Sequence, residues 1–255
     1  MDSTQVSEIE NIISEFVPIS LKEMDGVELM NRTDTKFVVS LEQLLSILGE
    51  VKHIYQILEV GGVRFSRYET LYYDTDEFLF YKRHHNGKRN RWKIRKRSYV
   101  ESSLSFLELK FKTNRGRTQK QRTAIPDINL LLNNDEENFI GLKSGLDLNL
   151  IPQLKNGFTR ITLVEPSLPE RITIDLELTF EWNDIRKVLN QIVIVEVKQE
   201  NINRLSPFVQ ALKKRHLREI SISKYCIGVA LLVPFVKKNN FKEKLIKLNK
   251  LESIK

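Results

Sequence analysis

The chain has 255 residues, 41% of them hydrophobic, which is enough for a sizeable buried core and excludes a disordered whole. Its 41 Lys and Arg against 33 Asp and Glu leave a net charge of +8, which points to an anionic partner: nucleic acid, phosphorylated metabolite or acidic membrane. The single cysteine, Cys226, excludes an internal disulfide and a multi-cysteine zinc site, the opening MDSTQVSEIENII lacks a secretory pattern, and no apolar run nears the ~20 residues that span a bilayer, so a soluble cytoplasmic protein is expected.

In chain order, Ile9, Ile12, Ile13 and Phe16 recur at helical spacing, and a strand is predicted over Thr33 to Val39. Ser40 with Gln43 forms a capping box that opens a helix with Leu41, Leu44, Leu45 and Leu48 on one face. Strands follow over Arg64 to Tyr73, Asn90 to Tyr99, Ser105 to Lys112 and Lys120 to Ile125, with Asn86-Gly87 placing residues 84–89 on a loop. A helix is predicted over Asp135 to Leu146, then strands over Phe158 to Val164, Arg171 to Glu177 and Ile192 to Lys198. A last helix starts at Ser206 with Pro207 in its first turn and runs towards Arg215. Eight strands with few helices predict an α+β fold, one domain over residues 1–236 with a Lys-rich tail over 237–255.

Sorting each strand into its two faces gives the informative pattern. Arg91, Lys93, Arg95 and Arg97 share a face, as do Glu108, Lys110 and Lys112 against Leu107, Leu109 and Phe111. Arg32, Asp34 and Lys36 line up near the N-terminus, Arg171, Thr173, Asp175 and Glu177 oppose Ile172, Ile174 and Leu176, and Glu196 and Lys198 oppose Val193, Val195 and Val197. One such strand reads as an ordinary half-solvated sheet. Repeated strand after strand, Arg and Lys with interspersed carboxylates predict a sheet closed into a barrel whose interior is cationic. Interior cations need carboxylates or a bound anion, and phosphate suits them: Arg offers a fork, Lys a point charge, and a spare carboxylate can hold a divalent metal that bridges phosphates.

These residues are similar to a known family. Arg32, Asp34, Lys36 and Phe37; Tyr72 to Thr75; Lys93, Arg95, Arg97 and Tyr99; Glu108 and Lys110; Lys120 and Arg122; Thr159 and Arg160; Arg171 and Asp175; Glu196 and Lys198; and Ser223 to Tyr225 run in order and resemble the VTC domain. That domain is the polyphosphate polymerase module of the vacuolar transporter chaperone complex, with bacterial relatives, within the triphosphate tunnel metalloenzymes. The resemblance implies an antiparallel eight-stranded tunnel barrel with flanking helices, which binds ATP with Mn²⁺ or Mg²⁺ and passes the γ-phosphoryl group to a growing inorganic polyphosphate chain. It implies that Lys36, Arg95, Arg97, Lys110, Arg160 and Lys224 act at the reacting phosphates. Arg32, Lys93, Lys112, Lys120, Arg122, Arg171, Lys198 and Ser223 would contact the rest of the phosphate chain. Glu196 would ligate the metal, with Glu108 and Asp34 as further candidate ligands. Arg32-x-Asp34-x-Lys36 stands where the cyclase and thiamine triphosphatase branch has Glu-x-Glu-x-Lys, one carboxylate fewer, which favours the polymerase branch over a two-metal triphosphatase.

Two rivals stand beside the polymerase: a tunnel triphosphatase or polyphosphatase that hands the same group to water, and a catalytically silent polyphosphate or nucleotide receptor. Nucleic acid is disfavoured, since the basic stretch from Lys82 to Arg97 lacks interleaved aromatics and a helical reader. His53, His84, His85 and His216 lack metal-ligand spacing, and Trp92 and Trp182 read as outer-face packing residues. In the tail, Phe241, Leu245, Leu248 and Leu251 among lysines form an amphipathic helix, suited either to packing on the barrel or to an anionic membrane surface or membrane-protein partner, which would put the protein at the inner face of the membrane.

Overall fold

Alternation of apolar and charged residues dictates a sheet with two unlike faces, and the computed structural model, which describes residues 1, 3–25 and 33–253, contains it. The long strands are β2 (Thr33–Ser40), β4 (Ser66–Asp74), β5 (Arg91–Tyr99), β6 (Leu104–Lys112), β7 (Thr118–Ile125), β8 (Ile151–Glu165), β9 (Glu170–Trp182) and β11 (Ile192–Gln199). They lie in the order β2-β11-β9-β8-β4-β5-β6-β7, every neighbour antiparallel. All eight predicted strands are therefore present. Three short strands join them: β3 (Gln56–Leu58) on β8, β1 (Val17–Ile19) parallel to β3, and β10 (Ile185–Leu189) on β9. Among the described residues no ladder joins β7 back to β2, so the eight-strand path is not closed by hydrogen bonds into a full ring.

The apolar face is packed by helices. On β2, β9 and β11 the residues Phe37, Val39, Ile172, Ile174, Val193, Val195 and Val197 are buried together with α1 (Ser3–Ser14), α3 (Leu41–Val51) and α6 (Pro207–Lys214), while the short α2 (Leu21–Asp25) clusters its Met24 with Val164 of β8. The predicted capping box is present in α3: the amide of Gln43 donates to Ser40 Oγ at 3.1 Å and that of Ser40 to Gln43 Oε1 at 3.0 Å. The predicted third helix is α5 (Asn134–Ser144), boxed by Asn133 and Glu136. Glu136 also meets Lys96, at 2.8 Å, and the Lys96 ammonium donates to the carbonyls of Asn129 and Leu131 as well, so all three of its protons are used although it is 1% exposed. Lys96 thus lies on the face opposite Arg95 and Arg97, pinning α5 to the sheet.

The other face is not cationic from end to end. The positions of β2, β9 and β11 that share a face with Lys36, Asp175 and Glu196 become Val38, Leu178, Phe180, Ile192 and Ile194 further along, and α7 (Lys224–Leu232) lies on them. On β9 the change is marked by Glu177, whose φ of 52° sits beside the register shift at Gly157/Thr159, so the predicted row ends at Asp175 and the Glu177 carboxylate turns to Thr159 Oγ1. The helix approaches the sheet closely at Gly228, where a Cβ would lie 2.5 Å from Leu154 Cδ2 and Phe180 Cδ1. Trp182 packs with this second core rather than with the apolar outer face expected for it, whereas Trp92 packs with Phe111 and Leu109 as expected.

Two further elements bear on the site. Residues 79–85 form α4 (Leu79–His85), so His84 and His85 end a helix where the turn signal predicts loop, and the turn itself begins at Asn86-Gly87, which closes that helix. The tail forms α8 (Lys242–Glu252), and its apolar row, Phe241, Leu245, Leu248 and Leu251, packs into the same core as α7. No helix of the described residues is long and apolar enough to cross a membrane.

Candidate functional site

Where α7 stops short, the inner face carries charge. Three carboxylates there each hold two or more cations. Glu108 of β6 takes Arg95 of β5 at 2.5 and 2.6 Å, with Lys110 at 3.8 Å. Asp175 of β9 accepts both arms of Arg160 of β8, at 2.5 and 2.8 Å, and the ammonium of Lys224. Glu196 of β11 is bonded to Lys36 of β2 and lies 3.0 Å from Lys198. Arg97, donating to Thr70 Oγ1 at 3.2 Å, and Lys93 add positive charge beyond these clamps.

The sheet also supplies an aromatic floor that the strand patterns did not single out. Tyr68 of β4 and Phe158 of β8 stack at 4.9 Å and 10°. The Arg97 guanidinium lies 5.5 and 5.6 Å from their centroids, that of Arg160 4.9 and 5.2 Å, and the Lys224 ammonium 4.1 Å from Phe158. Three cations from three elements thus converge over one ring pair, whose π faces attract them and whose bulk keeps water from beneath. The signal was available: Tyr68 is on the same face of β4 as Thr70 and Tyr72, opposite Phe158 in the ladder.

Lys224 reaches this point because it is the first residue of α7. Ser223 caps that helix, its Oγ accepting the amide of Cys226 at 3.4 Å, so the positive end of the helix dipole faces the cation cluster and reinforces its preference for anions. Ser223 is thus placed as a cap. Other predicted site residues are more peripheral. Lys120 and Arg122 are exposed on the edge strand β7 and Lys112 is exposed at the end of β6 beside it, Arg122 lying over Phe106, and Arg171 reaches the carbonyl of Met24. Asp34 faces Lys198 across the β2–β11 ladder, and Arg32 lies outside the described residues. Among the described residues no group of three or more His, Cys, Asp and Glu is gathered for a metal.

Burial and crowding set the protonation of this face. Burial would raise Glu108, but Arg95, Lys110 and Arg97 outweigh it and hold the carboxyl at about 2. Asp175 is likewise carried below the usual carboxylate range by Arg160 and Lys224 against its burial. Burial lowers the lysines: Lys224 to about 8 despite Asp175, Lys93 to about 8 with Arg95 and Arg91 adding to the effect, and Lys110 well below its ordinary value with Arg95 adding. Burial, then Lys198, lowers Lys36 to about 7, an effect that the carboxylates of Asp34 and Asp175 oppose.

A bound polyanion restores the protonated lysines, so binding takes up protons. Affinity for long-chain polyphosphate, whose interior phosphates carry only strongly acidic groups, is expected to fall as pH rises from about 7.5 to 9, through the values of about 8 at Lys224 and Lys93. Calorimetry in two buffers of different ionisation heat reads the uptake directly. The empty protein shows the opposite trend: the unfolded chain binds more protons between the lowered lysine values and about 10.4, so these groups make stability rise with pH across that window.

An antiparallel sheet with a helix filling one part of its inner face and clamped cations in the rest defines a tunnel-type protein with a face suited to anions. Residues 31–233 match the family model for the VTC domain, and the chain belongs to that family. No curated protein matches it significantly. Solved structures similar to it include a Bacillus halodurans protein described as a candidate adenylate cyclase, with 14% identity, covering 76% of this chain and 96% of that one at a TM-score of 0.45. Another is a Hippeastrum adenylyl cyclase candidate described as having a dominant triphosphatase activity, with 12% identity over 80% of this chain and 98% of that one at a TM-score of 0.48. These likenesses are partial resemblances of form.

Proposed function

We propose that the chain is a polyphosphate polymerase that transfers the γ-phosphoryl group of ATP to the end of an inorganic polyphosphate chain. The observation that carries the reading is the convergence of Arg97, Arg160 and Lys224 over the Tyr68–Phe158 floor, in a chain of the VTC domain family. A terminal polyphosphate oxygen attacks the γ-phosphorus, the bond to the β–γ bridging oxygen breaks, and ADP leaves. Such a reaction needs positioning and compensation of spread negative charge more than covalent chemistry. Arg97, Arg160, Lys224 and Lys36 hold the reacting phosphates; Arg95 and Lys110, continued by Lys93, Lys112, Lys120 and Arg122 along β5, β6 and β7, guide the chain. Lys198 and Arg171 extend the cationic face at the opposite end.

The donor chemistry suits a hard divalent cation held by one carboxylate together with substrate phosphates. Glu196, with Asp34 two residues before Lys36 on the facing strand, would hold Mn²⁺ or Mg²⁺ once phosphate draws Lys36 and Lys198 away; Glu108 is the poorer candidate because the guanidinium of Arg95, bonded to it twice and always charged, is harder to displace than an ammonium. Held by these carboxylates, a divalent cation would supply Lewis-acid compensation of phosphate charge. ATP and polyphosphate are the proposed partners, in the cytoplasm, with nucleic acid disfavoured.

The test is incubation of purified protein with ATP and Mn²⁺, resolving polyphosphate on a gel while assaying free phosphate. A ladder with matching ADP supports the polymerase. Free phosphate without a ladder would replace it with a hydrolase, and neither product would leave a receptor.

A further inference from the structure

Asp74, the last residue of β4, is fully buried. Its Oδ1 accepts the amides of Thr75 and Phe80, each at 2.8 Å, and its Oδ2 accepts the amide of Tyr81 at 2.9 Å. The last two bonds satisfy Phe80 and Tyr81 in the first turn of α4, whose Leu79 amide donates to Thr75 Oγ1 at 3.1 Å. The fourth bond has a different address: Oδ2 also accepts the hydroxyl of Tyr225 at 2.5 Å, and Tyr225 is the residue after Lys224. The Tyr225 ring leans on Tyr72 at 5.1 Å, and the Tyr72 hydroxyl accepts from Arg95 at 3.5 Å. One buried carboxylate therefore ties the start of α7 to the strand bearing the aromatic floor and, through Tyr72, to a second site cation.

We infer that Asp74, acting through the Tyr225 hydroxyl, is a positioning residue that fixes where Lys224 leaves the backbone and hence how its ammonium meets a bound triphosphate. The inference rests on the reading of Lys224 as a phosphate ligand. A lysine side chain has many rotamers, and the cost of ordering it over Phe158 falls when its backbone origin is held. Burial keeps the Tyr225 phenol well above its ordinary value, Asp74 adding to the effect, so it remains a donor across the physiological range.

The experiment is a double-mutant cycle on the affinity for inorganic tripolyphosphate without metal, measured by calorimetry on the full chain. Tyr225→Phe is expected to weaken binding about threefold to tenfold, and Tyr225→Phe with Lys224→Ala to bind no worse than Lys224→Ala alone. Combined with Lys110→Ala, which sits on another strand, the Tyr225→Phe loss should instead multiply. Asp74→Asn should repeat the pattern of Tyr225→Phe and stands in for it if that variant does not fold. Wild-type affinity in Tyr225→Phe, or a loss that multiplies with Lys224→Ala, overturns the positioning role while leaving the phosphate reading intact. Unchanged affinity in Lys224→Ala overturns that reading, and the inference with it.

Discussion

Asp175→Asn is expected to lower the stability of the empty protein by about 3–5 kcal/mol, because it leaves Arg160 and Lys224 buried with their counter-charge removed. For a chain of this size that corresponds to a fall in melting temperature of roughly 10 °C. Asparagine keeps the shape and one acceptor oxygen, so the loss isolates charge from packing. The distinguishing outcome is rescue. A polyanion that neutralises the same two cations should raise the melting temperature of the variant by more than it raises that of the wild type, and scanning calorimetry with and without tripolyphosphate measures both. Equal shifts would mean that Arg160 and Lys224 do not meet the ligand.

Glu196→Gln is expected to reduce metal-dependent turnover at least about a hundredfold, as loss of a major electrostatic element of a transition state does. It should leave metal-free tripolyphosphate binding undiminished or tighter. The second half follows from the clamp: Glu196 engages Lys36 and Lys198 in the empty protein, and a neutral side chain no longer competes with phosphate for them. Steady-state rates against Mn²⁺ concentration, paired with calorimetry, separate the two effects. A variant that loses both together would make Glu196 a structural partner of Lys36 instead of a metal ligand.

Much of the sheet was legible because its signal is local and repeated. Strands β6, β9 and β11 alternate polar and apolar side chains, β5 repeats a cation at every second position, and a period of two places each row on one face. What was missed depended on packing between distant segments. Helix α7, KYCIGVALL, has no amphipathic period because it is covered nearly all round, with Tyr225, Cys226, Ile227, Val229 and Ala230 all buried, so periodicity cannot reveal it. Its presence explains why Val38, Ile192 and Ile194 share a face with charges and why the inner face is only partly cationic. Lys96 was silent for a similar reason: its partner Glu136 is 40 residues away, and nothing in KIRKRSY marks one lysine as buried. Helix α4 is short and takes its first-turn partners from Asp74 of the preceding strand, so a turn signal at Asn86-Gly87 was read as a loop over its end. In the site, Lys36, Arg95, Arg97, Lys110, Arg160 and Lys224 all belong to the clamped inner face, whereas Lys112, Lys120 and Arg122 lie at its exposed edge.

Titration of inorganic tripolyphosphate into wild-type protein and Arg160→Ala, without metal and at rising salt, decides whether this face holds a linear polyphosphate through Arg97, Arg160 and Lys224. Binding is expected to be one-to-one, to weaken steadily with salt, as screening over a Debye length of about 10 Å at 0.1 M requires, and to drop at least about tenfold in the variant through loss of a charge-assisted contact. Salt-independent binding, or equal affinity in the two proteins, would contradict that reading.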